Sequence, residues 1–340
     1  MRAVAVLLSL MTLEAASYTV ARVRVEGIEV IRLYDQGHDT EVLILPSFGN
    51  NAYSMKVKGQ QIMWSPYKTL AEWKAKPAQA ANPFLAPWCN RIDGDSYWAN
   101  GKEYLLNDKL KNFRRDGNQK PIHGLLVFAD WTVTTVEASD SGAVTTSRLE
   151  FWKQPDWMAQ FPFAHTYEMT HRLKDGVLEV ETVIRNHASE PMPVSLGYHT
   201  YYQLTDSARD DWSVKVAAKD HVALSNVLVP TGEVKPVALA DPYPLKGSQL
   251  DDVFTGLKRE ANGRAVFWVQ GKKQRVAVEY GQKYPVAVIY APPGRGFICF
   301  EPMSGVTNVF NLGHAGKFPL QSVAAGGEWR ESFWVRPSGF

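Results

Sequence analysis

The chain has 340 residues, a length that fits either one large all-β domain or two ordinary domains. Hydrophobic residues make up 45% and charged residues 21%, a balance that favours a packed core over disorder. The 37 basic and 35 acidic residues give a net charge of +2, which supports neither nucleic acid nor an anionic membrane as a partner.

The first residues have the pattern of a secretory signal peptide. A positively charged start is followed by a mostly apolar run over residues 3–13, which is too short to span a bilayer. Small residues follow at positions 15–17, where a signal peptidase could cut, although a buried first strand or helix has a similar pattern. We expect residues 1–17 to be removed from an exported protein, periplasmic or extracellular. No later stretch is long and apolar enough to predict a membrane span.

Strand patterns dominate the rest of the chain. Apolar and polar residues alternate over residues 18–30, and residues 176–185 are rich in Val and Ile. A short helix is predicted over residues 69–76. Two further strands are predicted over residues 275–280 and 285–290, and Asp-Gly and Asn-Gly turns recur along the chain. These elements predict an all-β fold, a large antiparallel β-sandwich.

The number of domains follows from where the candidate site residues lie. Two smaller β domains would also fit the strand pattern. The candidate residues described below are spread from position 91 to position 301. One site would require them to converge from distant strands, so a single domain over residues 18–340 is preferred.

Several cofactor and nucleophile motifs are absent from the sequence. No Gly-x-Gly-x-x-Gly turn between strand and helix, no Gly-x-x-x-x-Gly-Lys-Ser/Thr loop and no Gly-x-Ser-x-Gly elbow occurs. His165 and His171 share strand parity, but a metal site needs three or four convergent ligands. The sequence therefore predicts neither a metal nor a cofactor.

Three short segments each place a titratable residue in an unusual setting. Arg91 lies in an apolar stretch, either in a structural ion pair or with its guanidinium free to grip substrate hydroxyls. His123 precedes a glycine, and His199 lies among aromatic residues, where a histidine is either a core residue or has a tuned pKa. Glu301 ends an apolar strand, where a glutamate lies at the strand mouth, has a partner or is functional.

Together and in this order, these segments resemble the aldose 1-epimerase (galactose mutarotase) family from about residue 18 to the C-terminus. The matching motifs are Asn90-Arg91-Ile92, His123-Gly124, Gly197-Tyr198-His199, Leu250-Asp251-Asp252 and Glu301-Pro302. Each motif is short, and the evidence lies in their order. Paired aspartates alone would suggest a turn or a cap, and Asp251 is the better aligned of the two. Thr200 stands where part of the family has proline, which leaves the preferred sugar open.

The resemblance implies a β-supersandwich that interconverts the α and β anomers of free aldoses such as galactose or glucose, without metal or cofactor. In this family pattern Glu301 is the base that takes the proton from the C1 hydroxyl. His199 is the acid that protonates the ring oxygen, and His123 supports the shift of charge. Arg91 and Asp251, with Asn90 beside them, would hold the sugar hydroxyls.

Two other functions fit the same residues. A hexose-6-phosphate 1-epimerase would need a phosphate-binding cluster, for which Arg114, Arg115 and Lys120 are the candidates, although an exported protein would seldom meet sugar phosphates. A non-catalytic sugar-binding domain on the same fold would have no need of both an acid and a base. The sequence does not indicate an oligomeric state.

The two cysteines, Cys89 and Cys299, are either a disulfide of an exported protein or buried thiols. Cys89 lies two residues before Arg91, and Cys299 lies two residues before Glu301. If both segments are strands, each cysteine lies on the same face as its site residue.

Overall fold

A computed structural model describes residues 17–340, so the predicted signal segment lies outside the described residues except for Ser17. The strands are β1 (Tyr18–Val25), β2 (Ile28–Asp35), β3 (Thr40–Leu45), β4 (Asn51–Val57), β5 (Gln60–Gln61), β6 (Phe84–Leu85), β7 (Ser96–Ala99), β8 (Lys102–Leu105), β9 (Arg114–Arg115), β10 (Pro121–Ile122), β11 (Thr132–Ser139), β12 (Gly142–Glu150), β13 (His165–Lys174), β14 (Val177–Asn186), β15 (Met192–Val194), β16 (Gly197–Tyr198), β17 (Thr200–Tyr202), β18 (Ser213–Lys215), β19 (Ala218–Leu224), β20 (Pro230–Pro236), β21 (Tyr243–Pro244), β22 (Leu250–Leu257), β23 (Ala265–Gln270), β24 (Arg275–Tyr280), β25 (Val286–Ala291), β26 (Ile298–Met303), β27 (Gln321–Val323) and β28 (Glu328–Ser338). The helices are α1 (Leu70–Ala75), α2 (Pro155–Met158) and α3 (Val309–His314), with 3₁₀ turns at Asp108–Leu110, Phe151–Lys153 and Arg209–Asp211. Within residues 17–340, no helix has the length and apolar composition needed to cross a bilayer.

Three antiparallel sheets form the bulk of the fold. The first has the strand order β1-β2-β3-β4-β5, and the second has the order β11-β12-β13-β14-β28-β24-β23-β18-β21. The third has the order β20-β19-β22-β25-β26-β16-β6, and β17 also pairs with β26. The pairs β7–β8, β9–β10 and β15–β27 are separate two-stranded ribbons. The predicted all-β class with antiparallel sheets is confirmed.

The predicted elements are present, and one of them is divided. The helix predicted over residues 69–76 is α1, in which the Thr69 side chain accepts a hydrogen bond from the Glu72 backbone N–H at 3.0 Å and caps the first turn. The alternating stretch over residues 18–30 contains a hairpin, because the chain reverses at Glu26 and Gly27, which both have positive φ angles.

One apolar cluster joins the three sheets. It includes Ile31 and Met55 of the first sheet, Val180 and Phe333 of the second and Phe300 of the third. Burying each such side chain contributes roughly 1.5–3 kcal/mol relative to leaving it exposed. The cluster therefore fixes the third sheet against the second, and with it the position of β26 in the middle of the third sheet.

Candidate active site

One face of the third sheet collects side chains from four strands. Across the sheet, Asp251 of β22 lies opposite Tyr290 of β25, Tyr290 lies opposite Cys299 of β26, and Cys299 lies opposite Tyr201 of β17. Directly opposite residues project to the same side, and so does Glu301, two residues beyond Cys299. These five residues define the site face. The expected placement of Cys299 on the face of Glu301 is therefore observed.

His199 and Glu301 form a buried pair on this face. The Nε2 atom of His199 lies 3.2 Å from Oε1 of Glu301, and the two residues are only 8% and 1% exposed. The backbone N–H of His199 donates to the Pro83 carbonyl at 3.1 Å, and the imidazole stacks on Tyr201 with ring centroids 4.7 Å apart. Among the described residues, neither Nδ1 of His199 nor Oε2 of Glu301 has a hydrogen-bond partner. Both groups therefore keep a polar atom for a ligand.

Burial shifts the two pKa values of this pair in opposite directions. It raises the pKa of Glu301 well above its usual range, with the Asp251 charge adding to the rise and Arg91 opposing it. Burial, with the charges of Arg114 and Arg91 adding to it, lowers the pKa of His199 to about 4. Both shifts have one physical cause, because burial disfavours the charged form of each group.

His123 lies beside His199 on a strained turn. Its ring centroid is 5.6 Å from that of His199, in an edge-to-face arrangement, and its backbone N–H donates to the Asn90 carbonyl at 2.9 Å. His123 has φ +64° and Gly124 has φ +66°, and a Cβ at Gly124 would overlap the Ala86 carbonyl oxygen. A non-glycine residue held in the left-handed region costs of order 1–3 kcal/mol, so the surrounding contacts must hold His123 in this conformation. Burial, followed by the His199 and Arg114 charges, lowers the pKa of His123 well below its usual range, so the imidazole is neutral.

Arg91 lies beside the site and forms an ion pair with Asp116. Its Nε donates to Oδ2 of Asp116 at 2.6 Å, and its Nη1 donates to Oδ1 of Asn90 at 3.0 Å. The side chains of Arg91 and Asp116 are 15% and 9% exposed. The structural ion pair offered by the sequence is therefore observed, and it orients a guanidinium whose charge also acts on His199 and Glu301. Asn90 holds Arg91 in place.

The two consecutive aspartates face opposite sides of β22. Asp251 lies on the site face, half-buried, and burial raises its pKa. Asp252 lies on the other side, where its Oδ1 is 2.8 Å from Nε2 of His221. Asp251 is therefore the aspartate available to a ligand on the site face.

The site has an aromatic wall that the sequence did not single out. Trp64 stacks on Tyr201 with centroids 5.7 Å apart and lies 4.4 Å from the centroid of Phe297. The ring of Tyr290 meets His199 edge-on at 6.1 Å. Trp64 and Tyr290 are half-buried. Aromatic faces of this kind cover the apolar C–H side of a sugar ring.

The remaining candidates form neither a metal site nor a disulfide among the described residues. His165 and His171 both face the core from β13, and within residues 17–340 no group of three His, Cys, Asp or Glu side chains is arranged to hold a metal ion. Cys89 and Cys299 are buried free thiols, and burial raises the pKa of Cys89 to about 12. The disulfide alternative is therefore not observed.

Comparison with known proteins shows which family the chain matches. The aldose 1-epimerase family model matches residues 32–336. Human galactose mutarotase is 30% identical over 151 residues, which cover 44% of this chain and 40% of that protein. The uncharacterized protein YihR of Escherichia coli (strain K12) is 23% identical over 67% of this chain and 71% of its own length.

Solved structures show the same fold. A galactose mutarotase-like protein from Clostridium acetobutylicum superposes with a TM-score of 0.84 at 21% identity, covering 95% of this chain and 99% of that one. Galactose 1-epimerase from Lactobacillus acidophilus superposes with a TM-score of 0.71 at 13% identity, covering 96% of this chain and 100% of that one.

Proposed function

Because the chain belongs to the aldose 1-epimerase family, we propose that it interconverts the α and β anomers of free aldoses such as galactose or glucose. The observation that carries the proposal is the buried contact between Nε2 of His199 and Oε1 of Glu301, 3.2 Å long. The two oxygens that must exchange protons, O1 and the ring oxygen, are bonded to the same carbon. An acid and a base that serve them must therefore lie side by side, as these two groups do.

The reaction needs only proton transfers at this pair. In the first half, Glu301 takes the proton of the C1 hydroxyl, and the electrons of that O–H bond form the C1=O1 double bond. The C1–ring-oxygen bond breaks, its electrons stay on the ring oxygen, and His199 gives that oxygen a proton. The open-chain aldehyde then rotates about C1–C2 and presents its other face.

Ring closure returns the pair to its starting state. The hydroxyl formed at the ring oxygen attacks C1, and its proton returns to His199. Glu301 gives its proton back to O1, which now lies on the opposite side of the ring. A positioned acid and base each contribute roughly 10²–10⁴-fold. The neutral imidazole of His123 would donate a hydrogen bond to the oxygen on which charge develops.

The binding residues fit a polyhydroxyl ring. Arg91, held by Asp116 and Asn90, offers donors, and Asp251 offers acceptors for sugar hydroxyls. The half-buried Trp64 and Tyr290 supply apolar faces. The combination suits a free pyranose better than a flat aromatic or a peptide, because one wall is apolar and the others are polar.

Polarimetry tests the proposal directly. Freshly dissolved α-glucose or α-galactose should relax to its equilibrium rotation faster with the protein than without it. Glu301→Gln should lower kcat by about 10²–10⁴-fold, and His199→Asn should do the same, because each removes one proton-transfer group. His221→Asn, on the other side of the sheet, is the matched control and should keep the wild-type rate.

Two outcomes would contradict the assignment. Full activity of Glu301→Gln would mean that another group is the base. Sugar binding without any acceleration by the folded wild-type protein would favour the sugar-binding domain considered as the alternative.

A further inference from the structure

Arg114 lies in the same row of residues as Arg91. In the β9–β10 ribbon, Arg114 pairs with Ile122, and Ile122 also forms a bridge with Arg91. Residues directly opposite each other project to the same side, so the two arginines flank Ile122 on one face, with Cα atoms separated by about two strand spacings, roughly 10 Å. Ile122 immediately precedes His123, so this face leads into the site.

Arg114 differs from its basic neighbours in having no carboxylate partner among residues 17–340. Arg115 is paired with Asp95 and Asp108, and Lys120 is paired with Asp93. Arg91 is paired with Asp116.

The Arg114 guanidinium lies 5.6 Å from the ring centroid of Phe128, and its Nη2 is buried without a hydrogen-bond partner in the described part of the chain. A half-buried guanidinium keeps its charge, so leaving it unpaired is unfavourable unless a ligand brings the anion.

The positive charge of Arg114 changes the pKa values of residues in the site. It lowers the pKa of His123 and of His199, after burial as the main cause. At Glu301 and Asp251, the basic group that acts is Arg91. Because Arg114 pairs with Ile122, the residue before His123, it lies at the His123 end of the site, and its charge also acts on Tyr201.

The chemistry of the ring decides which sugar atom reaches that end. With O1 at Glu301 and the ring oxygen at His199, the next ring atom is C5, which carries C6. The substituent on C6 is therefore directed past the histidines, towards Arg114.

We propose that Arg114 binds a monoanionic group on C6 of the substrate, so that the preferred aldoses are hexuronates, whose C6 is a carboxylate. This rests on the proposed function. The charge count favours a monoanion, because Arg114 provides one uncompensated positive charge and the neighbouring Arg115 and Lys120 are already neutralised. A phosphate ester, with a charge of about −1.5 to −2 near pH 7, would need a second free cation. A planar carboxylate also matches the planar guanidinium fork.

The test compares sugars that differ only at C6. Mutarotation of α-galacturonate, α-galactose and galactose 6-phosphate is followed by polarimetry with the wild type, Arg114→Met and Arg115→Met. We expect the wild type to prefer galacturonate in kcat/KM over both other sugars. Arg114→Met should lose about ten- to hundredfold in kcat/KM on galacturonate, mainly through KM, and less than about threefold on galactose. Arg115→Met, a neighbouring charge that already has partners, should change neither value.

Calorimetric titration with galacturonate keeps the proposal testable if turnover is absent. Equal losses of Arg114→Met on galacturonate and galactose would overturn the proposal, as would a wild type that prefers galactose or galactose 6-phosphate. A protein that accelerates none of the three sugars would refute the proposed function. In that case, equal galacturonate affinity of the wild type and Arg114→Met would refute the role of Arg114 as well.

Discussion

His171 makes the stability of this fold sensitive to acid. It lies on β13, the third strand of the nine-stranded sheet, opposite Val180 on β14 and Thr145 on β12, and it is completely buried. Neither ring nitrogen has a hydrogen-bond partner among the described residues. Burial lowers its pKa from 6.5 to about 3.

The sign and size of the effect on stability follow from the difference between the ordinary pKa of histidine and the lowered pKa of His171 in the folded chain. Below pH 6.5 the unfolded chain takes up a proton at His171 that the folded chain refuses, so stability falls as the pH falls towards 3. The gap of about 3.5 pH units corresponds to about 5 kcal/mol in full, at about 1.4 kcal/mol per unit. Between pH 8 and pH 5 this one residue should remove about 2 kcal/mol of the free energy of unfolding.

The assay is urea unfolding of the wild type and His171→Leu at a series of pH values from 8 to 5. Leu has a similar volume and cannot be protonated, so the loss of stability across this range should be about 2 kcal/mol smaller in the variant. His187→Gln, which removes an exposed histidine, is the control. It should lose as much free energy of unfolding between pH 8 and pH 5 as the wild type does. If His171→Leu lost as much stability as the wild type, the burial argument would be wrong.

Three further predictions concern the site and the N-terminus. Asp251→Asn should raise KM for the aldose by about tenfold or more, because it removes charged acceptors on the site face, whereas Asp252→Asn should leave KM nearly unchanged in the same steady-state measurement. Asp116→Asn should raise KM and lower the urea midpoint together, since it leaves the guanidinium of Arg91 partly buried without its ion pair; an unchanged midpoint would mean that the pair is not structural. If the chain is exported, as we propose, N-terminal sequencing of the protein from intact cells should start near residue 18, and a start at Met1 would contradict export.

The sequence indicated which residues would meet at the site better than it indicated which residues hold them there. Glu301 and His199 could be identified because their motifs follow the order of a known family, and the fold brings the strands that carry them together. Their direct contact could not be predicted, because it depends on β26 pairing with β17 in one particular register. A shift of one residue would have turned Glu301 to the other face.

The supporting residues depend on pairings that carry no local signal. Asp116 belongs to an Asp-Gly turn, and nothing in that dipeptide indicates a partner 25 positions earlier in the chain. Arg114 was grouped with Arg115 and Lys120 as a basic cluster, and only the ion pairs of its two neighbours separate it from them. The side of β22 on which Asp251 lies is likewise decided by register, since the alternation of a strand leaves both choices open until its neighbour is known.

The opposite pKa shifts of the pair bear directly on the anomer interconversion that we propose. A buried carboxylate and imidazolium are costly, and burial favours the neutral acid and neutral imidazole instead. In the roles we propose, ring opening starts from the charged form of the pair, which burial makes the less populated one, and ends in the neutral form that burial favours. The number of protons on the pair and its net charge are the same before and after ring opening. The low-dielectric site therefore does not have to accommodate a new net charge at any stage, and closure on either face of the aldehyde uses the same two groups.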